Sequence, residues 1–178
     1  MKKLSTITVI AALLAVAPLL AREPGDYAGA QRLTRQIHHE LVMMPYYSVF
    51  DHIQFQVLGN KVVLSGEVSR PTLKTTAERL VQRIEGVAAV ENRIKVLPLS
   101  RFDDRIRIDV YRSLYRNEML SRYSLGSVPS IHIIVNNGDV TLEGVVAREA
   151  EKTVAGMMAN QVGGVFSVTN NLRVERTS

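Results

Sequence analysis

The stretch "GNKVVLSGEVSRPTLK", Gly59 to Lys74, is echoed further along by "NGDVTLEGVVAREAEK", Asn137 to Lys152. Each begins with a pair of small turn residues, continues through alternating apolar positions to a glycine, and closes on a polar run ending in lysine. Ile53, Phe55 and Val57 alternate before the first turn, as Val62 and Leu64 do after it, which is the period of a half-buried strand. Gly59-Asn60 and Asn137-Gly138 supply residues that tolerate positive φ, so each stretch reads as a β-hairpin. Gly66 and Gly144, near the end of the second strand, mark a bulge or a close approach of two backbones.

Sliding the chain by 78 residues extends the echo without a gap. Residues 53–97 then share 15 identities with residues 131–175, where composition alone would give about three. The matches carry the apolar period with them, so the chain contains a duplicated unit. After each hairpin a helix is expected, with Ala77, Leu80 and Ile84 on one face, matched by Ala155, Met158 and Val162. Gly86 and Gly164 are placed to stop these helices, and a last strand follows over Val90–Val96 or Val168–Val174. Before each hairpin lies another helix, with Leu33, Ile37 and Leu41 recurring every fourth residue, as Ile106, Val110 and Leu114 do. That part aligns at an offset of 73, so the second copy carries five extra residues ahead of its first strand. Each unit is thus predicted as αββαβ, a three-stranded sheet with two helices on one face, in the α+β class. Pro98-Leu99-Ser100 leaves almost no linker between the copies.

The two hairpins, with the endings "EGVAAVENRIKV" (Glu85–Val96) and "GGVFSVTNNLRV" (Gly163–Val174), resemble the BON domain, present twice in tandem. The first copy departs from the family pattern in its Gly59-Asn60 turn and in Ala88-Ala89 ahead of Val90. The resemblance implies periplasmic relatives concerned with envelope maintenance or osmotic stress. Some of these bind anionic phospholipid, and one is described as a chaperone.

The N-terminus points outward from the cell. Lys2 and Lys3 precede an uncharged apolar core, Ile7–Ala21, that is short for a membrane span and is followed at once by Arg22 and Glu23. Residues 1–21 are therefore expected to be a secretory signal peptide cleaved after Ala21. Arg22 stands where a lipoprotein would need cysteine, so a periplasmic protein without a lipid anchor is expected. The two units are then residues 22–98 and 99–178. Removing Lys2 and Lys3 leaves 20 basic against 17 acidic residues, a net charge of +3. That surplus permits attraction to anionic lipid, and together with export it argues against nucleic acid as a partner.

Chemistry is sparse. The chain has no cysteine, which excludes disulfides, thiolate nucleophiles and Cys-ligated metal. His38 and His39 are adjacent on a helix and point about 100° apart, which does not chelate. His52 and His132 fall in or beside first strands of different copies, and packed or solvated roles are expected for both. There is no Gly-x-Ser-x-Gly elbow and no glycine-rich phosphate loop. No catalytic residue, metal or cofactor is predicted. Asp103-Asp104 opens the second copy's first helix, where acidic groups suit the positive helix end.

The segment "RFDDRIRIDVYRSLYRNEMLSRY", Arg101 to Tyr123, holds six arginines, three tyrosines and Phe102 against four acidic residues. Arg105, Arg112 and Arg116 lie at helical spacing away from the apolar seam, while Arg107, Tyr111 and Tyr115 run beside it. Arginine with tyrosine suits the headgroup level of a membrane, and these six residues are the candidate lipid contacts. The resemblance agrees, since in lipid-binding relatives the first helix of the second BON copy meets the membrane. The same spacing also describes an ordinary solvated helix face. Two functions follow as expectations: a peripheral binder of anionic phospholipid, or a module that holds exported client proteins by a sheet edge or apolar groove.

Overall fold

The computed structural model describes residues 24–126 and 128–175. The expected signal peptide, residues 1–21, lies outside the described residues. The first unit comprises α1 (Pro24–Val42), β1 (His52–Leu58), β2 (Lys61–Val68), α2 (Pro71–Gln82), β3 (Ala89–Asn92) and β4 (Lys95–Val96). The second repeats it as α3 (Arg101–Arg116), β5 (Ile131–Asn136), β6 (Asp139–Val146), α4 (Glu149–Asn160), β7 (Ser167–Asn170) and β8 (Arg173–Val174). A short 3₁₀ turn, Ser121–Ser124, lies in the longer loop of the second unit.

Both sheets have one topology. The second strand is central, antiparallel to the first and parallel to the last across the helical crossover. Register repeats residue for residue: Phe55 faces Leu64 as Ile133 faces Leu142. The predicted last strand is broken into two pieces. Asn92 Oδ1 accepts from the Ile94 N–H at 3.1 Å, its Nδ2 donates to the Lys74 carbonyl at 2.9 Å, and the strand kinks around it. Asn170 does the same with Leu172 and Lys152. The shared asparagine therefore ties the last strand to the crossover helix in both copies.

Alternation in β2 sends Val62, Leu64 and Val68 toward the helices, where they pack with Ile37, Leu41, Leu73, Ala77 and Val81. Val140, Leu142 and Val146 do likewise with Ile106, Val110, Leu114, Ala155 and Ala159. Each of the Val, Leu and Ile side chains among these contributes roughly 1.5–3 kcal/mol of burial. At Gly66 (φ +114°) and Gly144 (φ +130°) a Cβ would fall 2.1 Å from the carbonyl oxygens of His52 and Ser130, so both positions require glycine. The helices end earlier than the sequence suggests. α2 stops at Gln82 and α4 at Asn160, and Gly86 and Gly164, at φ +92° and +91°, turn the chain afterwards rather than capping the helix itself.

The loop before β1 joins the units. Asp51 is fully buried and accepts from the N–H and hydroxyl groups of both Ser48 and Ser69. In the second unit, the N–H of Ala147, which matches Ser69, donates instead to the Tyr123 hydroxyl, itself hydrogen-bonded to Glu151. With Asp51 fixing the loop, Val49 points away from its own unit and into the second core. Its carbonyl accepts from the Ile133 N–H at 2.8 Å, on the outer edge of β5. The helix-free faces of the two sheets also meet. Ile134 is only 2% exposed on that face, and Ser65 and Glu67 line a cavity of about 390 Å³ together with Ile134, Thr141 and Glu143.

Candidate functional site

α3 is built to start and stop where it does. The Ser100 hydroxyl caps it by accepting from the Asp103 N–H at 3.1 Å, Asp104 suits the positive end, and Arg116 the negative end. Asp103 does more than complement the helix end. It is fully buried, and its carboxylate accepts from the backbone N–H groups of Asn137 and Gly138 at 3.0 and 2.9 Å, clamping the hairpin turn to the helix.

The six candidate lipid contacts divide into two sets. Arg105, Arg112 and Arg116 are exposed. Arg107 is not available. It is 5% exposed, with its guanidinium donating to the Val135 carbonyl at 2.7 Å and paired with Asp104. Tyr115 donates its hydroxyl to the Ile131 carbonyl at 2.8 Å, and burial pushes its phenol well above the usual range. Tyr111 packs edge-on against Tyr115 at 4.8 Å and against Phe50 of the first unit at 6.2 Å. Arg107 is buried, and the half-buried Tyr111 and Tyr115 are engaged in packing the second core and receiving the first unit. The reason is positional: they lie next to the apolar seam, where the sheet and the incoming Val49-Phe50 segment cover them.

The exposed set is larger than spacing alone suggested. Arg101, Arg105, Ile108, Arg112 and Arg116 follow one another at three- and four-residue steps along the solvent side of α3. Ile108 is 44% exposed among them. Arg112 lies 3.6 Å from Asp109, whereas Arg101, Arg105 and Arg116 have no carboxylate within ion-pair reach among the described residues. Arg101 and Ile108 share the helical period of the three arginines, but the pattern of arginine beside tyrosine does not include them. Shallow depressions of about 360 and 570 Å³ border the stripe. What this face can do is attract anions while offering one aliphatic contact.

The histidines are redistributed as well. His38 and His39 remain exposed on α1. His52 and His132, from different copies, come together at the junction with ring centroids 5.2 Å apart, and Tyr47 leans on His132 at 5.9 Å. Burial, reinforced by His52, lowers the His132 pKa to about 4, so the ring is neutral at ordinary pH. Among the described residues no group of His, Asp and Glu is placed to hold a metal ion.

A family model described as BON domain matches residues 30–98 and, separately, residues 103–176. No curated protein matches the chain. Among solved structures it is similar to the C-terminal domain of CdsD, a structural protein of the type III secretion system of Chlamydia trachomatis. The identity is 12% over 81% of this chain and 98% of that one, with a TM-score of 0.29. A second structure of CdsD gives 13% identity over 82% and 93%, again with a TM-score of 0.29.

Proposed function

The chain belongs to the BON domain family, and on that premise we propose that it is an exported, non-enzymatic protein that associates peripherally with anionic phospholipid in support of the cell envelope. The observation that carries this reading is the solvent face of α3, where Arg101, Arg105, Arg112 and Arg116 surround the half-exposed Ile108. Three of those arginines have no carboxylate within ion-pair reach among the described residues. A cation near an anionic bilayer is worth about 1 kcal/mol, so three supply about 3 kcal/mol. Binding is accordingly weak and sensitive to salt, since the screening length falls below ~10 Å above about 0.1 M. No helix among the described residues is long and apolar enough to cross a membrane, which leaves these helices contact at the surface. Co-sedimentation of the mature protein with vesicles tests the reading. Pelleting with phosphatidylglycerol-containing vesicles at low salt, lost at high salt and absent with phosphatidylcholine alone, is the expected result. Equal recovery with both vesicle types ends it.

A second reading, a module that holds exported proteins, is favoured by a groove in the first unit. Among the described residues, Leu33, Phe55, Val57, Gly59 and Gly86 line a space of about 770 Å³ between α1 and the β1–β2 hairpin. The second unit fills the corresponding place with Phe102, Asp103 and Phe166, where the first has only Gly29, Ala30 and Ala88.

A further inference from the structure

Phe102 and Phe166 have no role in either core, yet they are held in a fixed arrangement at the surface. Phe102 sits in the first turn of α3 and is 47% exposed; Phe166 directly precedes β7 and is 75% exposed. Their ring centroids lie 6.2 Å apart. A floor of glycine supports both. A Cβ on Gly138 would fall 2.4 Å from the Phe166 ring, and one on Gly164 would fall 3.2 Å from the Phe102 ring. The Phe166 N–H also donates to the Gly138 carbonyl at 2.9 Å. Rings seated this closely on backbone keep their position while leaving their outer surfaces bare.

The fold does not require the pair. In the first unit the corresponding positions are Gly29 and Ala88, Asn60 stands where the second unit has Gly138, and a Cβ on Gly86 would meet nothing within 4 Å. The first unit nevertheless closes its own core. What the second unit adds is therefore surface chemistry. Two exposed phenyl rings in water are unfavourable, and together with Leu99, which is 95% exposed three residues earlier in the chain, they concentrate apolar area at one end of α3.

Charge identifies the occupant. Arg101 immediately precedes Phe102, and Arg105 is one turn on, so the rings stand at the end of the arginine stripe. The nearest acidic groups on the helix are engaged: Asp103 is buried on the hairpin N–H groups, and Asp104 is paired with Arg107. Exposed guanidinium groups with no ion-pair partner among the described residues, beside exposed aromatic rings, match an anionic bilayer, with phosphate at the level of the cations and acyl chain below it. We infer that Phe102 and Phe166 form an aromatic wedge that enters the acyl region of an anionic bilayer, so that α3 lies with its N-terminal end deepest. The inference rests on the phospholipid reading above and specifies its depth and orientation.

The chain has no tryptophan, so Phe166→Trp creates a single reporter. With phosphatidylglycerol vesicles at low salt, its emission should shift to the blue and be quenched by lipids brominated on the acyl chain, and Phe102→Trp should behave alike. Trp at Tyr46, exposed in the first unit, should stay unshifted and unquenched. The double variant Phe102→Ser, Phe166→Ser should keep its circular dichroism and lose about tenfold or more in vesicle partitioning. Pelleting without blue shift or bromolipid quenching at position 166 overturns the wedge and leaves the phospholipid reading standing. Absence of pelleting removes both. A blue shift that grows with protein concentration and needs no vesicles assigns the rings to contact between copies, and also overturns the wedge.

Discussion

The imidazoles of His52 and His132 lie 5.2 Å apart, each from the first strand of its own repeat, and neither Nδ1 has a hydrogen-bond partner among the described residues. Charged and polar groups around the pair include Gln54, whose Nε2 lies 2.9 Å from His52 Nε2, and Glu143, 3.8 Å from His52, together with Asp51, Arg173 and Tyr47. Burial lowers both histidine pKa values, with the nearby positive charge of Arg173 adding to the effect at His52.

Acid should therefore loosen the junction. His132 has a folded pKa of about 4 against an ordinary 6.5, so as pH falls the unfolded chain takes up the proton first. Stability is full above pH 6.5 and declines between 6.5 and 4, by at most about 3 kcal/mol from this group. Urea unfolding at pH 7.5 and pH 5 should show the loss, and His132→Phe should reduce it. Identical pH dependence in the two proteins would falsify the role of this residue.

Val49 belongs by sequence to the first repeat and by packing to the second core, with 6% exposure. Val49→Ala should cost about 2 kcal/mol. The loss should appear as earlier unfolding of the second unit, read as weaker amide protection of Ile133, which donates to Val49, and of His132 and Ile134, which pair with β6. If protection falls only in β1 and β2, Val49 does not couple the repeats.

Gly144→Ala should be severe. The added Cβ would meet the Ser130 carbonyl oxygen at 2.1 Å, and the position has φ +130°. Backbone strain and displacement of β5 together should cost about 3 kcal/mol or more. Gly163→Ala, which has open space around it, serves as the comparison and should stay within about 0.5 kcal/mol. Similar melting temperatures for the two variants would contradict the close approach.

The division of α3 into a lipid face and a packing face has its own pair of variants. Arg105→Glu with Arg116→Glu should abolish pelleting with anionic vesicles while leaving thermal stability nearly unchanged, since both side chains are exposed. Tyr115→Phe should do the reverse: lose about 1 kcal/mol with its hydrogen bond to Ile131, and pellet as before. Pelleting that survives the double charge reversal takes this helix out of the membrane contact.

Spacing in the chain was enough to establish the duplication, both hairpins, the glycines at 66 and 144 and the apolar seam of α3, because each is a local periodicity or a backbone requirement. It also marked α3 as unusual, but it could not sort the residues that flank the seam. Arg107, Tyr111 and Tyr115 lie as near to solvent on a helical wheel as to the core. Their burial was decided by partners far away in sequence, the Val135 and Ile131 carbonyls and the ring of Phe50. The same holds for Val49 on Ile133 and for His52 on His132. A repeating pattern records which side of an element is apolar; which neighbour covers the rest depends on the docking of two complementary surfaces, and that exists only once the chain has folded.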